Sequence, residues 1–216
     1  MNIEAFILIG GKSSRFGRDK ATTNFAGATL VERTSATVRQ AFSTSHITLV
    51  AANENQFASK FATGNGYAVI FDQYKNRGPI GAVHAALSFA QTDWALALAC
   101  DFPFISTELL KRLAGIISHD IDAVTPIQSD GKIQPLCSVY RVKPCMNVMK
   151  RILETEADTP PLHRLFEHVR TRFVSFDELN DLPNAQIFFL NVNTPEDFQF
   201  ATELTSPQRH KGHKVK

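Results

Sequence analysis

IEAFILIGGKSSRFGRDK, residues 3–20, opens with a buried strand and closes with a cluster of cations. Residues 3–9 are short, β-branched and aromatic, with Glu4 the one charged side chain, and they stop at Gly10-Gly11. A run of this kind reads as a strand covered on both faces, where alternation of apolar and polar residues is not required. Behind it, Gly10, Gly11 and Gly17 leave backbone N–H groups uncovered and permit positive φ. Lys12, Arg15, Arg18 and Lys20 place four cations in nine positions. Uncovered donors and cations directly after a first strand describe a cradle for the triphosphate of a nucleotide, gripped by residues 8–20. Two commoner phosphate loops fail on the letters. A Walker A loop needs a glycine five positions before Gly11 of Gly11-Lys12-Ser13, and that position is Phe6. A dinucleotide fingerprint needs spaced glycines, whereas Gly10 and Gly11 are adjacent.

Outward from this segment, apolar runs alternate with helical patterns. Strands are expected at residues 47–51, 67–71 and 94–99, and helices near residues 54–62 and 82–90. Leu30, Val31, Val38, Ala41 and Phe42 are at helical spacing. Ser106 can cap a helix whose Leu109, Leu113, Ile116 and Ile117 share a face. Residues 122–126 and 135–140 read as further strands, 151–168 as a helix broken at Pro160-Pro161, and 173–176 and 187–192 as late strands. A last helix over 195–204 has Thr194 as cap and Pro195 at its first position. The alternation predicts an α/β fold: an open, mainly parallel sheet with helices on both faces. Ligands of such sheets bind beyond the carboxyl ends of the strands, so Gly10, Asn53, Asp72 and Asp101 are where chemistry is expected. Residues 1–205 read as one domain and 206–216 as a basic, flexible tail.

Composition narrows the class. Of 216 residues, 44% are hydrophobic and 20% charged, which suits a folded chain with its own core. A net charge of +2 gives no reason to invoke nucleic acid or an anionic membrane. The longest clean apolar run, residues 94–100, is far short of a membrane span, and the chain begins without a basic, apolar leader. Cys100, Cys137 and Cys145 form no CxxC pair, so they are expected as buried, reduced thiols of a cytoplasmic protein. His46, His84, His119, His163 and His168 lack metal-ligand spacing and read as structural or surface residues.

The segment at residues 8–20 resembles the LAGGxSxRMGxDK signature of the molybdenum cofactor guanylyltransferases, the MobA family within the wider NTP-transferase superfamily. Arg77-Gly78-Pro79-Ile80-Gly81 resembles that family's GPLAG turn, and residues 99–104, ACDFPF, its CDMPF segment. Residues 191–197, NVNTPED, resemble its motif near the C-terminus, and Gln134-Pro135-Leu136 its short HPL element. The motifs follow the family's order across residues 3–200, and the resemblance implies a Rossmann-like fold of the nucleotide-diphospho-sugar transferase type, with residues 1–205 as a single nucleotidyltransferase domain. Ile9 replaces a small residue, Phe16 a methionine and Gln134 a histidine.

The resemblance implies a magnesium-dependent transfer of GMP from GTP to the terminal phosphate of the molybdenum–molybdopterin cofactor, with release of pyrophosphate. It implies GTP binding at Leu8, Ile9, Gly10, Gly11, Lys20, Asn53, Asp72 and Asp101. The strict register puts Ala51 at the family's asparagine and Asn53 two positions on. Mg²⁺ is expected on Asp101, and molybdenum-cofactor carrier or acceptor enzymes as partners. The chemistry is consistent with the residues. A phosphate monoester, with a second pKa near about 6, is already a nucleophile and needs no strong base. The obstacle is the meeting of anions, which fixed positive charge relieves. Arg15 and Lys20 suit the β- and γ-phosphates as a fork and a point charge, and with Asp101 they form the expected catalytic set. Asp72 can accept from guanine N1–H and N2–H₂ together, or close an Asx turn. Gly78-Pro79 can wall the base or ribose. Asn191 and Asn193 can complete a metal's sphere, contact the pterin, or bond locally at a strand end. A cytidylyltransferase on the same scaffold and a non-catalytic nucleotide-binding module are the competing readings. The Gly-Gly-Lys core and the Cys100-Asp101 segment favour guanine over the first, and the presence of Arg15, Lys20 and Asp101 speaks against the second.

Overall fold

The computed structural model describes residues 2–10, 20–43, 47–156 and 158–205, with the side chains of residues 57–59 outside that set. The basic tail read at 206–216 therefore lies outside the described residues, as do Gly11 and Arg15.

Nine strands and six α-helices follow in chain order among these residues. They are β1 (Ile3–Leu8), β2 (Asn24–Phe25), β3 (Ala28–Thr29), α1 (Leu30–Phe42), β4 (Ile47–Ala51), α2 (Phe57–Gly64), β5 (Ala68–Phe71), α3 (Pro79–Phe89) and β6 (Trp94–Ala99). Then come α4 (Thr107–Gly115), β7 (Ala123–Pro126), β8 (Cys137–Arg141), α5 (Val142–Thr155), β9 (Thr171–Val174) and α6 (Pro195–Thr205). Seven strands make one sheet in the order β5-β4-β1-β6-β8-β7-β9. Pairing is parallel throughout except that β8 runs against both β6 and β7. This is the mainly parallel sheet expected.

β1 is an interior strand, paired from Ala5 with β4 and from Ile3 with β6. Its side chains alternate between two cores. Ala5 and Ile7 join Val31 and Val38 of α1 and Leu109, Leu110 and Leu113 of α4 on one face. Phe6 and Leu8 join Ile80 and Val83 of α3 and Met149 and Ile152 of α5 on the other. The chain leaves β1 towards β4 and β5 and later returns to β6 on the opposite side. The switch point of the topology is therefore the crevice past the carboxyl ends of β1 and β6, where an open α/β sheet places its ligand.

A third apolar nucleus stands beside this crevice. Phe25, Leu30, Val192 and Ala201 are fully buried together, joined by Phe104, Leu190 and Phe198. Phe25 meets the rings of Phe104 and Phe198 edge-on at 5.9 and 5.7 Å, and the Arg33 guanidinium lies 5.1 Å from its centroid. The nucleus clips the C-terminal segment onto the β2–β3 hairpin. That hairpin was not anticipated: its turn uses Ala26 and Gly27 at φ 50° and 93°, and alanine is a weak signal for a turn needing positive φ. Thr29 then caps α1 through a reciprocal capping box with Glu32.

Two other expectations are corrected. Residues 187–192 form no strand: a 3₁₀ turn at Ala185–Ile187 leads into irregular chain. Its apolar residues are consumed in packing, with Phe188 and Val192 fully buried, and not in a ladder. The helix expected at 151–168 begins at Val142, because Pro144 lies in the first turn, where no N–H is needed; it ends at Thr155 and is followed by a 3₁₀ helix, Leu162–Glu167.

At the amino ends of the strands, Arg170 binds Asp122 through Nε at 3.0 Å and an Nη at 3.1 Å, and this pairing holds the carboxyl below the usual range. The pair belongs to a cavity of about 520 Å³ at the far end of the sheet from the crevice.

Phe25→Ala should lower the unfolding free energy by about 3–5 kcal/mol, since little nearby can collapse into the void. Urea denaturation should show the midpoint fall with little change in slope.

Candidate active site

Asp101 sits two residues beyond β6, in the turn that begins when Cys100 N–H donates to Leu8 O at 3.2 Å and so ties the ends of β1 and β6 together. Lys20, where the chain returns after the segment following β1, donates from Nζ to Asp101 Oδ2 at 2.8 Å and to Asn193 Oδ1 at 2.6 Å. The paired side chains of Lys20 and Asp101 are only 14% and 19% exposed. Val192 N–H donates to Asp101 O at 3.1 Å, so the C-terminal segment is laid directly on the Asp101 turn. Asp197, in the first turn of α6, accepts from the N–H groups of Asn193 and Thr194 at 2.9 Å each and holds that segment in place. Lys20, Asp101 and Asn193 thus converge from three separate parts of the sequence.

Two acceptors at this junction are buried without a hydrogen-bond partner, Asp101 Oδ1 and Asn191 Oδ1. A buried carboxylate oxygen left unpaired is an unfavourable feature unless something is meant to occupy it. It suits a hard divalent cation, which prefers oxygen ligands. No group of three or more His, Cys, Asp or Glu gathers among the described residues, so there is no all-protein cage. Magnesium fits such a sparse donor set, because it keeps waters and takes phosphate oxygens for the rest of its sphere.

Asp72 follows β5. Its N–H donates to Ala51 O at 3.0 Å, and its Oδ1 accepts from Tyr74 N–H at 2.9 Å. The Asx turn left open above is therefore formed, through one of the two carboxylate oxygens. Burial raises the pKa of this carboxyl, against a smaller lowering by the Tyr74 N–H. The carboxylate rests on Gly81, where an added Cβ would lie 2.8 Å from Oδ1, so glycine in the first turn of α3 is what gives Asp72 its place. Gly78 caps α3 at φ 67° and Pro79 opens it. The turn is buttressed from outside: Thr159 Oγ1 donates to Asn76 O at 3.1 Å, and the Thr159 methyl lies 3.0 Å from a Cβ built on Gly78.

The remaining expected residues are arranged less simply. Leu8 and Ile9 point their side chains into the two cores, so only their main chain faces the crevice. Ile9 N–H and Gly10 N–H both donate to Val50 O, at 2.9 and 3.2 Å. Gly10 is required by packing, since a Cβ there would lie 3.0 Å from Ala52 N. Asn53 is exposed and folds its Oδ1 onto Asn55 N–H at 3.0 Å. Gln56, which the sequence did not single out, reaches back from the start of α2 and donates to Ile9 O at 2.8 Å while accepting from Ala52 N–H. A glutamine three residues after Asn53 carries no motif, and Asp197 was read only as part of a motif, so neither role was visible in advance. Gly11 and Arg15 lie outside the described residues.

Comparison with known proteins gives the chain its family. The family described as the MobA-like NTP transferase domain matches residues 5–170. The chain belongs to this family. A molybdenum cofactor guanylyltransferase from Vibrio parahaemolyticus is 34% identical over 205 residues, covering 93% of this chain and 95% of the relative. A probable molybdenum cofactor guanylyltransferase from a Geobacillus species is 29% identical over 198 residues, covering 89% and 94%. The solved structure of molybdopterin-guanine dinucleotide biosynthesis protein A from Archaeoglobus fulgidus superposes with a TM-score of 0.75 at 25% identity, covering 94% of this chain and 98% of that one. A 4-diphosphocytidyl-2C-methyl-D-erythritol synthase from Anaerococcus prevotii shares the fold, with a TM-score of 0.68 at 17% identity, 94% and 95% covered. As a MobA-like NTP transferase the chain is a nucleotidyltransferase, and the Lys20–Asp101–Asn193 cluster stands at the switch point of its sheet.

The raised pKa of Asp72 makes a prediction with a definite sign. A carboxyl that binds protons more readily folded than unfolded destabilises the fold in its charged form, and that loss is recovered as the pH falls through its folded pKa. In the ligand-free protein Asp72→Asn should keep the bond from Tyr74 and raise stability at neutral pH by of order 1 kcal/mol. The gain should vanish as the pH falls through the carboxylate range, as followed by thermal unfolding at a series of pH values.

Proposed function

We propose that this protein is a magnesium-dependent molybdenum cofactor guanylyltransferase, transferring GMP from GTP to the terminal phosphate of molybdopterin and releasing pyrophosphate. The observation that carries the reading is the cluster of Lys20, Asp101 and Asn193 past the ends of β1 and β6, in a chain whose relatives bear that activity in their names. Asp101 Oδ1 is the atom that would hold the ion, and Mg²⁺ bound there would neutralise charge on phosphate oxygens.

The chain's own residues then divide the work. Lys20 is a point charge fixed by two oxygens at the mouth of the crevice, placed to offset charge on the β- and γ-phosphates. Arg15 would add a planar fork to the same phosphates from the segment following β1. Gly10 and Gly11 would let the main chain approach the nucleotide closely, with Leu8, Ile9 and Asn53 lining the same strand ends. Asp72 uses Oδ1 on Tyr74 and keeps Oδ2 for the base, where a carboxylate suits the two adjacent donors of guanine. Gly78-Pro79 would wall the base or ribose, and the Asn191–Asn193 side would face the pterin phosphate. On this reading the product passes to enzymes that use the dinucleotide cofactor. No described helix is long and apolar enough to cross a membrane, and the three cysteines are buried and free, which supports assignment to the cytoplasm.

Two substitutions test the reading. Asp101→Ala should reduce Mg²⁺-dependent GMP transfer by on the order of 10²–10³, the scale of a lost electrostatic contact at a reacting group, while the protein stays folded. Wild-type turnover in that variant would remove the metal assignment. Lys20→Ala should weaken GTP binding or turnover by about tenfold or more, since a charge-assisted contact contributes about 1.5–3 kcal/mol. An unchanged variant would refute the cradle. Competition of GTP against CTP in the wild type, and its blurring in Asp72→Asn, checks the base.

A further inference from the structure

The ladder between β1 and β4 ends on a side chain. Leu8 pairs with Val50, and Ile9 N–H donates to Val50 O at 2.9 Å. Parallel ladders space their bonds evenly, so the next rung would join Ala52 N–H to Ile9 O. These two groups are instead bridged by Gln56. Ala52 N–H donates to its Oε1 at 3.1 Å, and its Nε2 donates to Ile9 O at 2.8 Å. An amide carries an acceptor and a donor side by side, as a peptide unit does, so the Gln56 side chain stands in the ladder where the rung would be. Beyond this point the first strand turns away: Gly10 N–H bonds back to Val50 O at 3.2 Å, the same oxygen that Ile9 uses.

Gln56 also closes its own turn. Its main-chain N–H donates to Asn53 O at 3.3 Å, and the residue is the N-cap of α2. One residue therefore fixes both the Ile9–Gly10 main chain and the turn that carries Asn53. Its place in the sheet says which part of a ligand it serves. In the order β5-β4-β1-β6, the Lys20–Asp101 pair stands on the β6 side of β1. Gln56 lies on the β4 side, towards Asp72 at the end of β5. Resting on the nucleotide-binding reading above, we propose that Gln56 is a positioning residue for the nucleoside half of the triphosphate. It holds the ends of β1 and β4 apart by one side-chain amide, so that Ile9, Gly10 and Asn53 offer the base and ribose a preformed floor. Without it the ladder can close by one rung and draw the first strand onto Ala52. Gly10 is already tight there, since a Cβ built on it would lie 3.0 Å from Ala52 N. The phosphate end, at Lys20 and Asp101, keeps its geometry.

The test separates the two halves of the ligand. Isothermal titration of the full-length protein with Mg²⁺ uses two probes, a non-cleavable GTP analogue and pyrophosphate, which lacks the nucleoside. Gln56→Ala removes the bridge; Gln56→Glu keeps the shape and the acceptor for Ala52 N–H but sets a carboxylate oxygen against Ile9 O. Both should bind the GTP analogue about tenfold more weakly, with pyrophosphate affinity within about twofold of wild type, because only contacts to the base and ribose are displaced. Where Gln56→Ala does not fold, Gln56→Glu gives the reading alone. Wild-type affinity for the analogue in a folded variant, or equal weakening of both probes, would overturn the assignment. Loss of the folded state in both variants would make Gln56 a residue of the scaffold and overturn it too. If the wild type itself does not bind the analogue, the nucleotide reading fails; if it binds and the variants bind equally well, only the role of Gln56 is wrong.

Discussion

An ammonium and a carboxylate, 81 positions apart in sequence, lie 2.8 Å from each other at the mouth of the crevice. Every other feature of the site is arranged around that contact. Both side chains are largely withdrawn from water, and each charge is compensated by the other. The chain must therefore come back to the end of β6 as soon as the segment following β1 is complete. It must also deliver Asn193 to the same ammonium from the far end of the sequence. A triphosphate entering this crevice would meet fixed charges and not a surface that has to reorganise.

The scaffold supplies this geometry at some expense to itself. β1 and β6 pair in parallel over their whole length, which sets their two ends level, and the Cys100 N–H to Leu8 O bond fixes the turns beyond. The third nucleus around Phe25 carries no chemistry, yet it is what pins Val192 beside Asp101. Against these stabilising contacts stand Asp72, whose carboxyl burial disfavours as an anion, and two shielded oxygens with no donor. Unfavourable groups concentrated at one end of a well-packed sheet are what a binding site looks like before its ligands arrive.

Much of this was legible from the letters, for physical reasons that differ by element. β1, β4 and β6 are short apolar runs bounded by Gly or polar residues, and their covered faces leave no competing pattern. Lys20 and Asp101 were legible because each falls at a strand end or in a cation-rich turn. The β2–β3 hairpin was not, because two-residue strands and an Ala-Gly turn leave no periodic trace. Residues 187–192 misled because burial and β-propensity are shared by strands and by packed irregular chain, and only the missing partner strand distinguishes them. The second oxygen of Asp72, the reach of Gln56 to Ile9 and the different surroundings of Asn191 and Asn193 are tertiary facts. They depend on which neighbours arrive, and no spacing in the sequence records that.

The central claim is that the crevice beyond β1 and β6 binds a nucleoside triphosphate and its metal together. A crystal structure of the protein with Mg²⁺ and a non-cleavable GTP analogue tests it most directly. The account predicts metal density on Asp101, the phosphates beside Lys20 and the guanine edge at Asp72. Nucleotide density anywhere else, with the Lys20–Asp101 pair closed and no ion on Asp101, would contradict it.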